Sequence, residues 1–191
     1  MRSRWRTGRP PVATPEFTLL GDAVWLDFVN SARGRDPFPP DLLPDADAYA
    51  RWSLAQQLEP GGDVAFPLVR AFRDQLTQLA EALHVGLQPP VGAVAAINAE
   101  LALCGGSHQL TRVNGSWRLR FSPARPLRAL EAIARSAATT LADRAAVVRR
   151  CAGETCSLFF TDTTPSQSRR WCDPTLCGHG ARVERRRGLL R

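Results

Sequence analysis

The feature that most constrains this chain is a doubled cysteine pattern. Cys151 and Cys156 in "CAGETC", and Cys172 and Cys177 in "CDPTLC", form two C-x4-C pairs with fifteen residues between them. Cys104 is the one other Cys in 191 residues. Two short turns that present thiolates in pairs suit an ion that wants four ligands in a tetrahedron. A module of this size buries too little to hold itself together, and a metal normally supplies the missing stability. A thioredoxin-like redox pair takes two intervening residues beside a βαβ unit, and neither is present. An iron–sulfur cluster also takes four Cys, and spacing alone leaves it open. The symmetric doubling favours one structural Zn2+ on Cys151, Cys156, Cys172 and Cys177. Four protein ligands leave no position for substrate water, so the ion is expected to be structural, not catalytic.

The segment between the pairs reads as a small hairpin, with "SLFFTD" as one strand, "TPSQS" as the turn and "RRW" as the return. Phe159, Phe160 and Trp171 would be its core. After Cys177, "GHGARVERRRGLLR" reads as a basic helix with Arg182, Arg185 and Arg186 on one face.

Two disulfides would need an oxidising compartment. The leading "MRSRWRTGRPPVATPEF" has charge but no apolar stretch behind it, so no secretory signal is expected. No apolar run approaches the roughly 20 residues of a membrane helix. A cytoplasmic protein with no membrane partner follows as the expectation.

All 25 basic residues are Arg, and their distribution is uneven. The first ten residues carry +4, residues 11–148 carry −2, and residues 149–191 carry +5. Four thiolates and one Zn2+ would lower the last figure to about +3. The positive charge thus sits at the two ends. Arg donates two parallel hydrogen bonds to phosphate from a planar fork, so the basic end is a candidate grip on a DNA backbone. The candidate contacts are Arg169 and Arg170 beside the second Cys pair, and Arg182, Arg185, Arg186 and Arg187 after it.

The body reads as mainly helical. Residues 1–16 form a flexible basic arm. "FTLLGDAVWLDFVNSARGR" fits a strand by its alternation of Val24, Leu26 and Phe28, and a helix by Trp25, Phe28 and Val29. "DADAYARWSLAQQLEPGG" is a short helix stopped at Pro60. Val69, Phe72, Leu76, Leu79 and Leu83 mark one buried helix face, and Val94, Ile97, Leu101 and Cys104 mark another. Cys104 is therefore expected as a small core residue. Asn114-Gly115 signals a type I′ hairpin turn, followed by a strand with Trp117, Leu119 and Phe121 buried and Arg118 and Arg120 wet. A long helix, 126–150, is expected to run from Pro126 straight into Cys151.

At this point a resemblance carries further. "RRCAGETCSLFFTDTTPSQSRRWCDPTLCGHGARVERRR" resembles the CGNR zinc finger of bacterial stress-induced transcription regulators. "LDFVNS" (26–31) is similar to the Leu-Asp-Phe-Val-Asn-Thr stretch of the domain that precedes that finger. The resemblance covers about residues 17–187. It implies that the four Cys hold zinc, and it marks Asp27 and Asn30 as the polar positions of the N-terminal motif. Those two side chains are candidates for a ligand pocket, or for bonds to backbone at an element end; the second fits better, because buried amides and carboxylates most often find backbone. The tetrad departs from the family: His179 and Gly180 stand where Asn and Arg are expected. The zinc ligand is kept, while the side chain that could meet phosphate at 180 is not.

The expected architecture is α+β: a mainly helical sensor domain (17–148) with a β-hairpin, then a four-Cys zinc finger with a basic helix (149–191). The expected function is DNA-binding transcription regulation of a stress-response type, with DNA as partner and a small molecule or protein as signal. A protein-interaction adaptor with a purely structural zinc module is the alternative. No enzyme is expected, since no phosphate-binding Gly loop or nucleophile elbow occurs and the three His are scattered.

Overall fold

The computed structural model describes residues 16–61 and 64–178. Nearly all of the arm at 1–16, together with His179, Arg182, Arg185, Arg186 and Arg187, lies outside the described residues. The elements are α1 (Val24–Asn30), α2 (Ala46–Ala55), α3 (Phe66–His84), α4 (Val91–Ala102), β1 (Gly106–Val113), β2 (Ser116–Pro123), α5 (Ala129–Ala142), β3 (Val147–Arg150) and β4 (Phe159–Asp162). The fold class is α+β, with two antiparallel two-stranded sheets, β1–β2 and β3–β4.

The ambiguous segment at 24–30 is a helix. Trp25, Leu26, Phe28 and Val29 are all fully buried, and Asp27 and Asn30 are buried with them. A helix enclosed on every side has no wet face, so its sequence shows neither helical nor strand period. Around it, α3 and α5 pack on either side, and β4 crosses one end. Phe28 stands in an aromatic cluster, 5.4 Å from Trp52 and 6.3 Å from Tyr49 between ring centres.

The helices of the body follow their sequence signals. Asp45 caps α2 by accepting the Ala48 N–H at 2.8 Å, as short oxygen-bearing side chains do at helix starts. The expected seam of α3 is buried through Val69, Phe72, Leu76 and Leu79. Buried Arg73 reaches across to Asp41 with two hydrogen bonds, 2.8 and 2.5 Å, and to the Ser31 hydroxyl. Cys104 falls two residues past α4 and is half-buried, so it is a peripheral residue where a core position was expected.

Three expectations change. The helix expected at 126–150 ends at Ala142: Asp143 leaves helical geometry, its carboxylate accepts the Ala145 N–H, and Val147-Val148 continue as β3. Paired β-branched residues favour the extended strand over another helical turn. Next, β4 pairs with β3, in the register Val147↔Asp162 to Arg150↔Phe159, and not with the "RRW" segment. The boundary expected at 148 consequently falls inside a strand. Finally, the β1–β2 hairpin forms as expected around Asn114 and Gly115, both at positive φ. Its apolar face, however, is open: Leu110, Trp117 and Leu119 are each about two-thirds exposed. At the base of the ribbon Phe121 shares a groove with Leu101 and Leu127 of the body, while among the described residues no second layer covers the outer half.

Candidate metal centre and its joint with the body

Two turns build the centre. In the first, Cys156 N–H bonds the Gly153 carbonyl, which folds Cys156 back toward Cys151. Space is tight at Gly153: a Cβ would lie 3.0 Å from the Cys156 Cβ and 3.4 Å from that of Cys177. In the second, the Asp173 carboxylate accepts the N–H groups of Thr175 and Leu176 and the Thr175 hydroxyl. The Thr175 hydroxyl, foremost among these bonds, holds the Asp173 carboxyl below its ordinary range.

The four sulfurs of Cys151, Cys156, Cys172 and Cys177 lie within 4.8 Å of one another. Cys156 Sγ is 3.9 Å from Cys172 Sγ, which is 3.7 Å from Cys177 Sγ. Four thiolates around one zinc at about 2.3 Å stand about 3.8 Å apart. The donor set therefore fits a single tetrahedral zinc, and one structural Zn2+ is the ion these residues hold. Without a cation they could not all ionise. The thiols of Cys156 and Cys172, followed by the N–H groups of Cys172 and Gly153, pull the Cys151 thiol far below the ordinary range. Burial pushes Cys177 up to about 12.

Around the sulfurs, Leu158, Phe160 and Cys172 are buried, with Leu20 and Trp171 packed against them. This second cluster is continuous with the body, because the side chains of β4 alternate. Phe159 belongs to the main core and Phe160 to the metal cluster.

Asn30 makes the joint. Its Nδ2 donates to the Phe159 carbonyl at 2.8 Å, and its Oδ1 accepts the Phe159 N–H at 2.9 Å. One amide side chain thus acts as the strand partner that the outer edge of β4 lacks. Beside it, Thr161 N–H donates to the Gly21 carbonyl. Asn30 is therefore a clamp between body and finger. Asp27 accepts the Gly21 N–H at 2.8 Å and the Gln56 amide at 3.0 Å, and also borders a surface groove.

Asp162 is a residue that sequence reasoning missed. It is fully buried and accepts from the Thr164 hydroxyl and N–H, the Arg169 N–H and the Arg149 guanidinium. Burial alone would raise its carboxyl, but these donors bring it down to about 2. A short polar residue closing a strand before Thr-Thr-Pro was the available signal.

The two described candidates for DNA contact part company. Arg169 is engaged within the chain: its guanidinium bonds Asp22 and the carbonyls of Trp171 and Cys172, and lies 4.5 Å over the Phe160 ring. Arg170 is exposed and sits over the Trp171 ring at 5.4 Å.

Comparison with known families agrees with this anatomy. Residues 22–144 match the ABATE family model, described as a putative stress-induced transcription regulator. Residues 148–188 match the CGNR zinc finger model. Neither is an enzyme family. A search of the curated proteins finds no match. The matched regions take in the body, the Asn30 clamp and all four Cys, and the chain belongs to the ABATE family, with a CGNR zinc finger closing its described fold.

Proposed function

We propose that this chain is a DNA-binding, stress-responsive transcription regulator of the cytoplasm, in which the helical body receives a signal and the zinc module rests on the DNA backbone. The observation that carries the reading is the joint: a regulator-family body is fixed by Asn30 to a finger on which Arg170 is exposed. Arg170, with Arg182, Arg185, Arg186 and Arg187, supplies the phosphate contacts. Arg169 has a different part, as the strut that ties the Cys172 turn to Asp22.

Fluorescence anisotropy of zinc-loaded protein with mixed-sequence duplex, from low to physiological salt, tests this. Affinity is expected to fall along a linear log–log slope, about 0.9 per phosphate neutralised. Replacing Arg185, Arg186 and Arg187 with Gln should weaken binding and flatten that slope. Flat traces at low salt would refute DNA contact, and a slope unchanged in the variant would refute this contact surface.

One observation favours an adaptor instead, namely the open face of Leu110, Trp117 and Leu119 on the β1–β2 ribbon. Exposed apolar faces of this kind mark protein contacts. A protein without DNA affinity that holds one stable partner through that ribbon would establish this second reading.

A further inference from the structure

Three acids are buried in the described fold: Asp27, Glu131 and Asp162. Glu131 holds Arg125 with two hydrogen bonds, 2.9 and 2.6 Å, and Asp162 holds Arg149 at 2.9 Å. Asp27 has no arginine. Its two oxygens accept from neutral groups, the Gly21 N–H and the Gln56 amide, and the neighbouring charge that acts on it is a like one, Asp22. A buried carboxylate without a counterion is costly, and proteins normally pair it.

Asp27 also borders a groove, larger than the one that Glu131 borders. The groove has a volume of about 650 Å³ and runs between α1 and α5, with Thr161 of β4 in its wall. That size is in the range of small-molecule sites. Val24, Leu127 and Ala132 give it an apolar side, and its charged lining is Asp22, Asp27 and Asp143 against one cation, Arg135, so acids outnumber bases. Thr161 stands in the wall, but its hydroxyl, which has no hydrogen-bond partner among the described residues, is enclosed and does not open into the groove.

We propose that this groove binds a small organic ammonium ion, its charge on the Asp27 carboxylate and its hydrocarbon body along Val24, Leu127 and Ala132. The cation completes Asp27 as Arg125 completes Glu131. Burial raises the Asp27 carboxyl above its ordinary value, which is the direction a counterion would reverse. The site is placed to matter for the finger, since Asp22 borders the same groove and holds Arg169. A bound ammonium ion draws on Asp22 as well, and so competes with the strut to the Cys172 turn. That consequence rests on the regulator reading above, while the binding itself does not.

Calorimetric titration of the zinc-loaded full chain with n-hexylammonium tests it, with 1-hexanol and hexanoate as controls of equal length. Saturable one-to-one binding is expected for the ammonium ion alone. Asp27→Asn should weaken it at least tenfold. Ala132→Leu, which fills the groove from α5 and leaves Asp27 untouched, should do the same and covers the case in which Asp27→Asn fails to fold. Absence of saturable binding, equal binding of hexanol, or affinity unchanged in both variants would overturn the proposal. None of these readings involves DNA, so failure of DNA contact and failure of this site are told apart.

Discussion

Replacing Asn30 with Ala should cost more stability than its size suggests. The amide donates to one backbone group of Phe159 and accepts from the other, at 2.8 and 2.9 Å, and Phe159 is fully buried. Removal leaves an N–H and a carbonyl without partners where water does not reach. Each such orphan costs about 1–3 kcal/mol, so the pair costs about 2–6 kcal/mol. Domains of this kind have about 5–15 kcal/mol in all, so the variant gives up a large share. Asn30→Asp should be no better, because its carboxylate accepts the N–H but meets the carbonyl with a like dipole and brings a buried charge. Urea unfolding of zinc-loaded protein checks the magnitude, with tryptophan fluorescence reporting the body and zinc release to a chromophoric chelator reporting the finger. In the parent the two signals should change together, since Phe159 lies in the main core. In Asn30→Ala the zinc should leave at lower urea than the body unfolds. A loss below about 0.5 kcal/mol, within the range of ordinary surface substitutions, with the two signals still coincident, would refute the clamp.

Other consequences follow from the same geometry. Chelating the zinc should unfold residues 147–178 and also lower the melting temperature of the body, because Val148 and Phe159 are part of its core; circular dichroism with and without chelator measures both. Gly153→Ala should weaken zinc binding by about 10–100-fold, as supporting groups around metal ligands commonly do, since the added Cβ would stand 3.0 Å from that of Cys156; competition with a chelator of known affinity gives the number. Glu131 is held below its ordinary 4.5, chiefly by Arg125, so its contribution is complete above that value and is lost as pH falls below it. Unfolding curves from pH 6 to 3 should therefore fall more steeply for the parent than for Glu131→Gln. Zinc is released from both over the same range, so the difference isolates the carboxylate.

Much of this was legible in the sequence, for identifiable reasons. Surface helices such as α3 bury one stripe, and the stripe is written at three- and four-residue steps. The C-x4-C pairs are legible because tetrahedral sulfur chemistry demands close spacing. Asn114-Gly115 is legible because few residues tolerate positive φ. What failed to show has equally physical causes. A helix buried on all sides, α1, has no periodicity to read. The end of α5 depends on Asp143 turning its carboxylate to Ala145 and on β4 being at hand to pair Val147-Val148, and the second of these is a long-range event. The open face of the β1–β2 ribbon could not be foreseen, because alternation states which side chains share a face and not whether anything covers it. The partner of Asn30 and the role of Asp162 were hidden for the same reason, since the bonding groups lie 129 residues away and on a folded-back loop.

The two stretches that carry the family resemblance are, in space, one object. "LDFVNS" supplies Asn30, which grips β4, and "SRRWC" supplies Arg169, which grips Asp22 just ahead of α1. Between these bonds lies β4, with Phe159 facing the body and Phe160 facing the sulfurs. A strand with one face in each core cannot shift without disturbing both, because packed interiors do not deform continuously. On the regulator reading proposed above, signal passage from body to finger would need no hinge or linker. A change of about an ångström at Asp22 or Asn30 would reach the zinc turns through two side chains and one strand, and on the binding proposed above the groove beside Asp27 is where such a change would begin.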